Sequence, residues 1–335
     1  MRSQTALKIA FIGLTYQNNG PANVNKDYKK YLEKEGVYFL KCKNPILRTF
    51  EIIKTVIKYD VIIISCLCMT NDIALRLAKL LKKPVIYIMH GCYDYETKIS
   101  GLRYSTFFGN NEKRMLSYSK KIVAVSKNYM EWVKNYFPVH AHKVIYNNNG
   151  IEWNELTCSD NKVRDSFLVL STGGGRPLKK NVVICRAVRI LNEKYNLPFK
   201  FAILGRDSTD TKELKEAPYT QYIGQISKQD AMEWFKKTNI YITNSVVESF
   251  GLAPIEALSL GCSLLTSKNV GALSIIDTLQ DVDTIQNYDD EYEIASKIKE
   301  LASIGNNQRL MNGINKEETS VEASCKGLLN IIQNL

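Results

Sequence analysis

Two glutamates eight positions apart, Glu248 and Glu256, are the residues whose type and spacing most suggest chemistry; they lie in the run Asn244-Ser245-Val246-Val247-Glu248-Ser249-Phe250-Gly251-Leu252-Ala253-Pro254-Ile255-Glu256. Glu248 is expected in a loop that follows a strand over 240–243. Gly251 and Leu252 open a helix whose first N–H groups lack intrahelical partners, Pro254 is tolerated in the first turn, and Gly261 ends it. Glu256 then sits about one turn in. Two carboxylates so placed can meet two parts of one elongated ligand, with phosphates at the helix N-terminus between them. Paired carboxylates also serve glycoside hydrolysis, but the retaining form needs them about 5–5.5 Å apart across one bond, and a loop-plus-helix placement makes that improbable.

A second signal is Gly173-Gly174-Gly175-Arg176-Pro177-Leu178-Lys179-Lys180-Asn181, between an expected strand and helix. Glycines allow close backbone approach, two cations neutralise charge, and the helix start adds its own, all of which suits a diphosphate. Neither G-x-x-x-x-G-K-[ST] nor G-x-G-x-x-G occurs here, so the grip is of neither the P-loop nor the dinucleotide kind. His90-Gly91 closes the buried run 85–89, which puts a histidine at a strand end; the same residue as a satisfied core histidine is the competing reading. Asn18-Asn19-Gly20-Pro21 reads as a loop able to approach a phosphate, or as a tight turn. Asp281-Val282-Asp283 has the D-x-D look of metal-dependent transferases, but its polar surroundings (280–292) read as a solvated loop.

These residues need a scaffold that holds strand ends together. Apolar β-branched runs at 9–13, 61–65, 85–89, 122–126 and 144–146 alternate with helical segments at 26–35, 45–59, 72–81, 112–119 and 129–136. The pattern restarts with strands at 167–171, 201–204, 221–223, 240–243 and 264–266, and helices at 182–194, 228–237, 252–260, 291–302 and about 317–335. Buried strands each followed by a helix imply parallel sheets covered on both faces. Two α/β domains are expected, residues 1–154 and 155–335, joined by the Asn- and Gly-rich stretch 147–161. Ligands of such sheets bind at the C-terminal ends of strands, where all the signals above fall.

Composition is that of a folded chain: 335 residues, 45% hydrophobic and 24% charged. The longest apolar run, 61–69, is about half of the roughly 20 residues a membrane-crossing helix needs. The N-terminus reads as a first strand and not as a secretion signal. Eight scattered cysteines suggest reduced, cytosolic thiols, with Cys66 and Cys68 as small buried hydrophobes. Charge is divided: residues 1–150 carry 24 Lys and Arg against 10 Asp and Glu, a net of +14, whereas residues 151–335 carry a net of −3. One domain therefore suits an anionic partner, a membrane leaflet or a nucleic acid, or else carries a solubility charge.

The Glu248–Glu256 run resembles the E-x7-E motif of the family 4 retaining glycosyltransferases, which have the GT-B fold: two Rossmann-like α/β domains facing each other across a cleft. The Asn-Gly-Pro loop, His90-Gly91, Ile122-Val123-Ala124-Val125-Ser126, Asn149-Gly150 and Tyr222-Ile223-Gly224-Gln225-Ile226 resemble the same family. The family usually spaces its phosphate-binding Lys about six residues after the Arg, whereas Arg176 and Lys180 are four apart, so Lys179 and Lys180 are both candidates. The resemblance implies that Glu256 receives the ribose hydroxyls, and Glu248 and His90 contact the donor sugar. Arg176 and Lys180 would stabilise the departing diphosphate, with Gly20, Gly175 and Lys179 in the phosphate loops. The N–H groups of Gly251 and Leu252 would hold the distal phosphate, with Ser249 and Phe250 beside them among the donor-binding residues, and Ile223, Gln225 and Ile226 would read the base. It implies retention without an assigned nucleophile, no metal and no cofactor, and a terminal helix that crosses back to the N-terminal domain.

The expected activity is transfer from a nucleotide-sugar, preferably a UDP-sugar, to a lipid-linked or growing polysaccharide acceptor. The basic domain places this on the cytoplasmic membrane face. A soluble acceptor is the variant reading. A non-catalytic nucleotide-sugar-binding protein or partner subunit is the alternative, against which the retained site residues count. Nucleic-acid binding explains the basic half but leaves the other motifs unused.

Overall fold

The computed structural model describes residues 7–17, 19–101, 103–156 and 165–335. The chain divides into two compact units, one made of 1–98, 102–152 and 317–335, the other of 99–101 and 153–316. Cys158 and most of the C-terminal part of the expected linker lie outside the described residues.

In the first unit, strands β1 (Ile9–Ile12), β2 (Tyr38–Phe39), β3 (Val61–Ser65), β4 (Val85–Met89), β5 (Lys121–Ala124) and β6 (Val144–Tyr146) form a parallel sheet in the order β2-β1-β3-β4-β5-β6. β3 and β4 are buried at every position, as continuous β-branched and aliphatic runs require when helices cover both faces. The covering helices are α1 (Gly20–Leu32), α2 (Pro45–Lys58), α3 (Met69–Leu80), α4 (Tyr93–Ser100), α5 (Thr106–Tyr118) and α6 (Lys127–Tyr136).

The second unit contains β7 (Asp165–Thr172), α7 (Asn181–Glu193), β8 (Lys200–Leu204), α8 (Thr211–Glu216), β9 (Thr220–Gly224), α9 (Lys228–Lys237) and β10 (Thr238–Thr243). It continues with α10 (Leu252–Ser259), β11 (Ser263–Ser267), β12 (Thr284–Ile285), α11 (Glu291–Ile304) and α12 (Asn307–Asn312). Its parallel sheet runs β12-β11-β10-β7-β8-β9. The core holds Phe199, Phe201 and Ile242 beneath α7 and α11.

The last helix, α13 (Val321–Gln333), packs on α1 within the first unit. Tyr28 Oη and Ser324 Oγ are 3.0 Å apart, and Asn147 Nδ2 donates to Ser324 O at 2.9 Å. The start of the expected linker is therefore fixed structure: Asn149 is buried, and a side chain at Gly150 would meet Val321 Cα at 2.3 Å.

Three further expectations are corrected. Gly20 and Pro21 are the first residues of α1 and not a loop, because Asn19 caps the helix by accepting from Ala22 N at 2.9 Å. Cys66 and Cys68 are part-exposed, Cys66 with a left-handed φ of 70°. Asp281 is exposed, as a solvated loop implies, but the segment is a short helical turn and Asp283 is not solvated. Asp283 is 1% exposed, accepts from Arg309 Nη2 at 2.7 Å and Asn306 Nδ2 at 2.7 Å, and closes a capping box with Gln280.

Candidate functional site

Each sheet reverses its strand order once, and open α/β sheets bind ligands in the crevice that such a reversal opens at the C-terminal strand ends. In the second unit the reversal lies between β7 and β10. The glycine loop leaves β7 and the Glu248 loop leaves β10, so topology alone brings the two strongest sequence signals side by side.

The glycine loop is tied down by non-local bonds. Gly174 N donates to Leu204 O at 2.9 Å, Gly175 N donates to Arg206 O at 3.1 Å, and Asn181 Nδ2 donates to Gly174 O at 2.8 Å. A side chain at Gly174, whose φ is 59°, would meet Arg206 O at 2.1 Å, so this position requires glycine. This corrects the expectation for Gly175: its N–H is committed to the β8 loop and does not face a phosphate. What the loop offers is cationic. Arg176 is exposed, and Lys179, only 8% exposed, ion-pairs through Nζ with Glu248 Oε2. Lys180 takes a left-handed φ of 52° and points elsewhere, to Asp289 at 2.8 Å and over the Tyr288 ring. Of the two candidate lysines, Lys179 is the one joined to Glu248.

The Glu248 loop is held from three sides. Val246 N donates to Leu178 O at 2.9 Å, Glu248 N to Asn269 O at 3.1 Å, and Ala272 N to Phe250 O at 2.7 Å. Phe250 is 1% exposed, so its side chain is core and does not line the site, contrary to expectation. Ser249 is half-buried beside it. Gly251, at φ 84°, occupies the N-cap of α10, and no side chain caps that helix, which leaves Leu252 in an N-terminal turn with positive partial charge. Glu256 follows in α10. Burial raises its carboxyl above the ordinary range, while Lys228, 3.7 Å away, draws it back. Lys228 gave no signal in the sequence, because α9 and α10 meet only through the fold.

β9 is the edge strand of this sheet, and its pairing with β8 jumps from Tyr222 to Gly224, which leaves Ile223 at an irregularity. Gln225 Oε1 accepts from Arg206 Nε at 3.1 Å, and Ile226 is half-buried just beyond.

In the first unit the reversal lies between β1 and β3. His90 stands at the end of the neighbouring β4, and its tautomer follows from a chain of bonds. Asn25 Nδ2 donates to Leu14 O at 2.9 Å, so Asn25 Oδ1 accepts from Ser65 Oγ at 2.7 Å. With its proton so used, Ser65 Oγ accepts from His90 Nε2–H at 3.1 Å. His90 is a neutral imidazole with the proton on Nε2, and burial pushes its pKa down to about 4. Its folded pKa is below the unfolded value of 6.5, so the unfolded chain binds more protons between those values. Stability present above pH 6.5 should be lost as pH falls toward 4, by up to about 3 kcal/mol. Melting curves of His90→Asn should be flatter over that window; parallel curves for the two proteins would refute it.

Among the described residues, no group of three or more His, Cys, Asp or Glu could hold a metal ion. Residues 158–318 match the family model for Glycosyl transferases group 1, and residues 29–154 match that for Glycosyltransferase Family 4. No curated protein matches the chain in sequence. Similar solved structures include HepE from Anabaena in complex with UDP and glucose, at 14% identity and TM-score 0.73, covering 98% of this chain and 100% of that one. Sucrose-phosphate synthase from Thermosynechococcus elongatus aligns at 14% identity and TM-score 0.71 over 98% of both chains. The catalytic domain of starch synthase IV from Arabidopsis thaliana, bound to ADP and acarbose, aligns at 12% and 0.69, covering 98% of this chain and 99% of that one. Their shared fold is GT-B.

Proposed function

We propose that this chain, a glycosyltransferase of the GT-B fold, transfers a sugar from a nucleotide-sugar with retention of configuration and without a metal. The acceptor is lipid-linked or a growing polysaccharide at the cytoplasmic membrane face. The observation that carries the reading is the Lys179–Glu248 pair beside the uncapped start of α10, with Glu256 one turn further on. A UDP-sugar is favoured as donor, since the similar HepE structure holds UDP and glucose.

In this mechanism the diphosphate of the bound donor competes with Glu248 for Lys179. Arg176 and Lys179 then stabilise the charge that grows on the leaving group, and the α10 N-terminus holds the distal phosphate through Gly251 and Leu252. Glu248, released from its lysine, accepts hydroxyls of the sugar, and Glu256 accepts those of the ribose. Ile223 and the backbone after it read the base. The acceptor attacks from the face the leaving group departs, so no protein nucleophile is needed. The basic first unit supplies the attraction to an anionic surface.

The test is thermal stability with EDTA present, against UDP, GDP, ADP, CMP and their sugar conjugates. One nucleotide at about 100 times its Kd should add roughly 2.7 kcal/mol of stability. Glu256→Ala should weaken that ligand about ten- to hundredfold, the cost of hydrogen bonds to a charged group. No shift with any nucleotide would sink the donor site. Donor binding with no transfer to any extracted lipid or glycan would favour a non-catalytic subunit, and an inverted anomeric coupling in the product would refute retention.

A further inference from the structure

Helix α2 is apolar on its outward face as well as its inward one. Its exposed face carries Ile46, Leu47, Phe50, Ile53 and Ile57, with Ile46 69% and Phe50 61% exposed, at the i, i+4, i+7, i+11 spacing of one stripe. Its buried face is formed by Ile52 and Val56 together with Thr55 and Arg48, the latter held to Gly13 O at 2.9 Å, so the exposed stripe is in excess of what the core needs. α3 packs alongside and extends the patch through exposed Met69, Ile73 and Leu80. An aliphatic and aromatic surface spread over two adjacent helices is more than the single exposed hydrophobes of an ordinary surface.

The charge around it identifies what covers it. Residues 41–83 hold nine Lys and Arg against three Asp and Glu. On the other flank of α3, where it meets α5, lies a cavity of about 260 Å³ lined by Arg76, Lys79, Lys113 and Arg114. Buried Asp72 orients both guanidiniums, accepting from Arg76 Nε at 2.8 Å and Arg114 Nη2 at 2.8 Å, and leaves the notch net cationic. Apolar side chains beside a cationic notch match the acyl boundary and phosphate layer of an anionic bilayer. A second copy of the same basic face would meet like charge. Among the described residues no helix is long and apolar enough to cross a membrane, so contact through this face would be peripheral.

We propose that the outward faces of α2 and α3, with the α3–α5 notch, dock on an anionic phospholipid bilayer. α2 lies in the interface plane and the notch receives lipid phosphate. This deepens the membrane part of the function proposed above and rests on it.

The test is co-sedimentation of the full chain with phosphatidylcholine vesicles, with and without about 30% phosphatidylglycerol. The wild type should pellet with the anionic vesicles only. Phe50→Ser with Ile57→Ser should lower the partition coefficient at least about tenfold, and Lys54→Gln with Lys79→Gln and Lys113→Gln by about the same. Ile304→Ser, an exposed apolar residue of the other unit, should leave it unchanged. All these positions are surface side chains, and unchanged circular dichroism confirms folding. Equal binding by the Phe50/Ile57 variant, equal binding to neutral vesicles, or a lipid-free dimer that this variant abolishes would each overturn the proposal. A nucleotide thermal shift on the same samples reports the donor site separately: vesicle binding without any shift would sink the transferase reading and leave the docking face standing.

Discussion

Lys179→Ala should lower kcat by about 10² to 10³, roughly 3–4 kcal/mol of transition-state stabilisation, the effect of removing one preorganised charge from a developing anion. Lys180→Ala should lower it less than about tenfold, because its ammonium is engaged with Asp289 and the Tyr288 ring, and an exposed pair of that kind is worth about 1 kcal/mol or less. The two lysines are adjacent in sequence and identical in chemistry, so the contrast isolates position. It arises from Lys180, whose left-handed φ turns the chain into α7 and sends the two side chains apart. The leaving-group charge exists chiefly in the transition state, so kcat should fall further than KM rises. Steady-state turnover with the donor that the thermal shifts select decides it. A larger loss in Lys180→Ala would return the phosphate role to that residue and make the Lys179–Glu248 pair merely structural.

The frame that holds these groups was legible in the sequence wherever burial dictated residue type over several positions. All ten apolar runs read as strands are strands, since a parallel strand covered on both faces admits few polar residues. The edge strands β2 and β12 were missed because two residues carry no period. α4, with the sequence YDYETKIS, was missed because it has no apolar stripe. The pairing of Glu248 with a lysine of the glycine loop was legible only as far as both loops follow strands; that β7 and β10 are neighbours is a fact of topology. The spent N–H groups of Gly174 and Gly175 were hidden for the same reason, since their acceptors, Leu204 and Arg206, come from another strand end. Periodicity found α2 but could not say which face is inward. The helix carries two apolar stripes, and it is Ile52 and Val56, with Arg48 and Thr55, that face the core, while Ile46, Phe50, Ile53 and Ile57 face out.

Arg309→Met should be the most destabilising of these substitutions, by about 3 kcal/mol, because it strips a buried carboxylate of its paired cation. Asp283 accepts two bonds from that guanidinium, at 2.7 and 3.0 Å, and further bonds from Asn306 Nδ2 and Gln280 N, both at 2.7 Å. Asn306 in turn pairs with both backbone groups of Leu264 in β11, so the carboxylate sits at the junction of β11, α12 and the turn before β12. Removing Arg309 alone leaves the charge buried and short of partners; removing the charge as well, in Asp283→Asn with Arg309→Met, should recover much of the loss. Thermal melts of the two variants measure this, and the double variant melting below the single would refute it. The same melts separate this D-x-D from those that bind metal. Every oxygen of Asp283 is already committed to protein donors, so Mn²⁺ should leave the melting temperature of wild type unchanged, whereas a metal-dependent rise lost in Asp283→Asn would show that the carboxylate can exchange Arg309 for a cation.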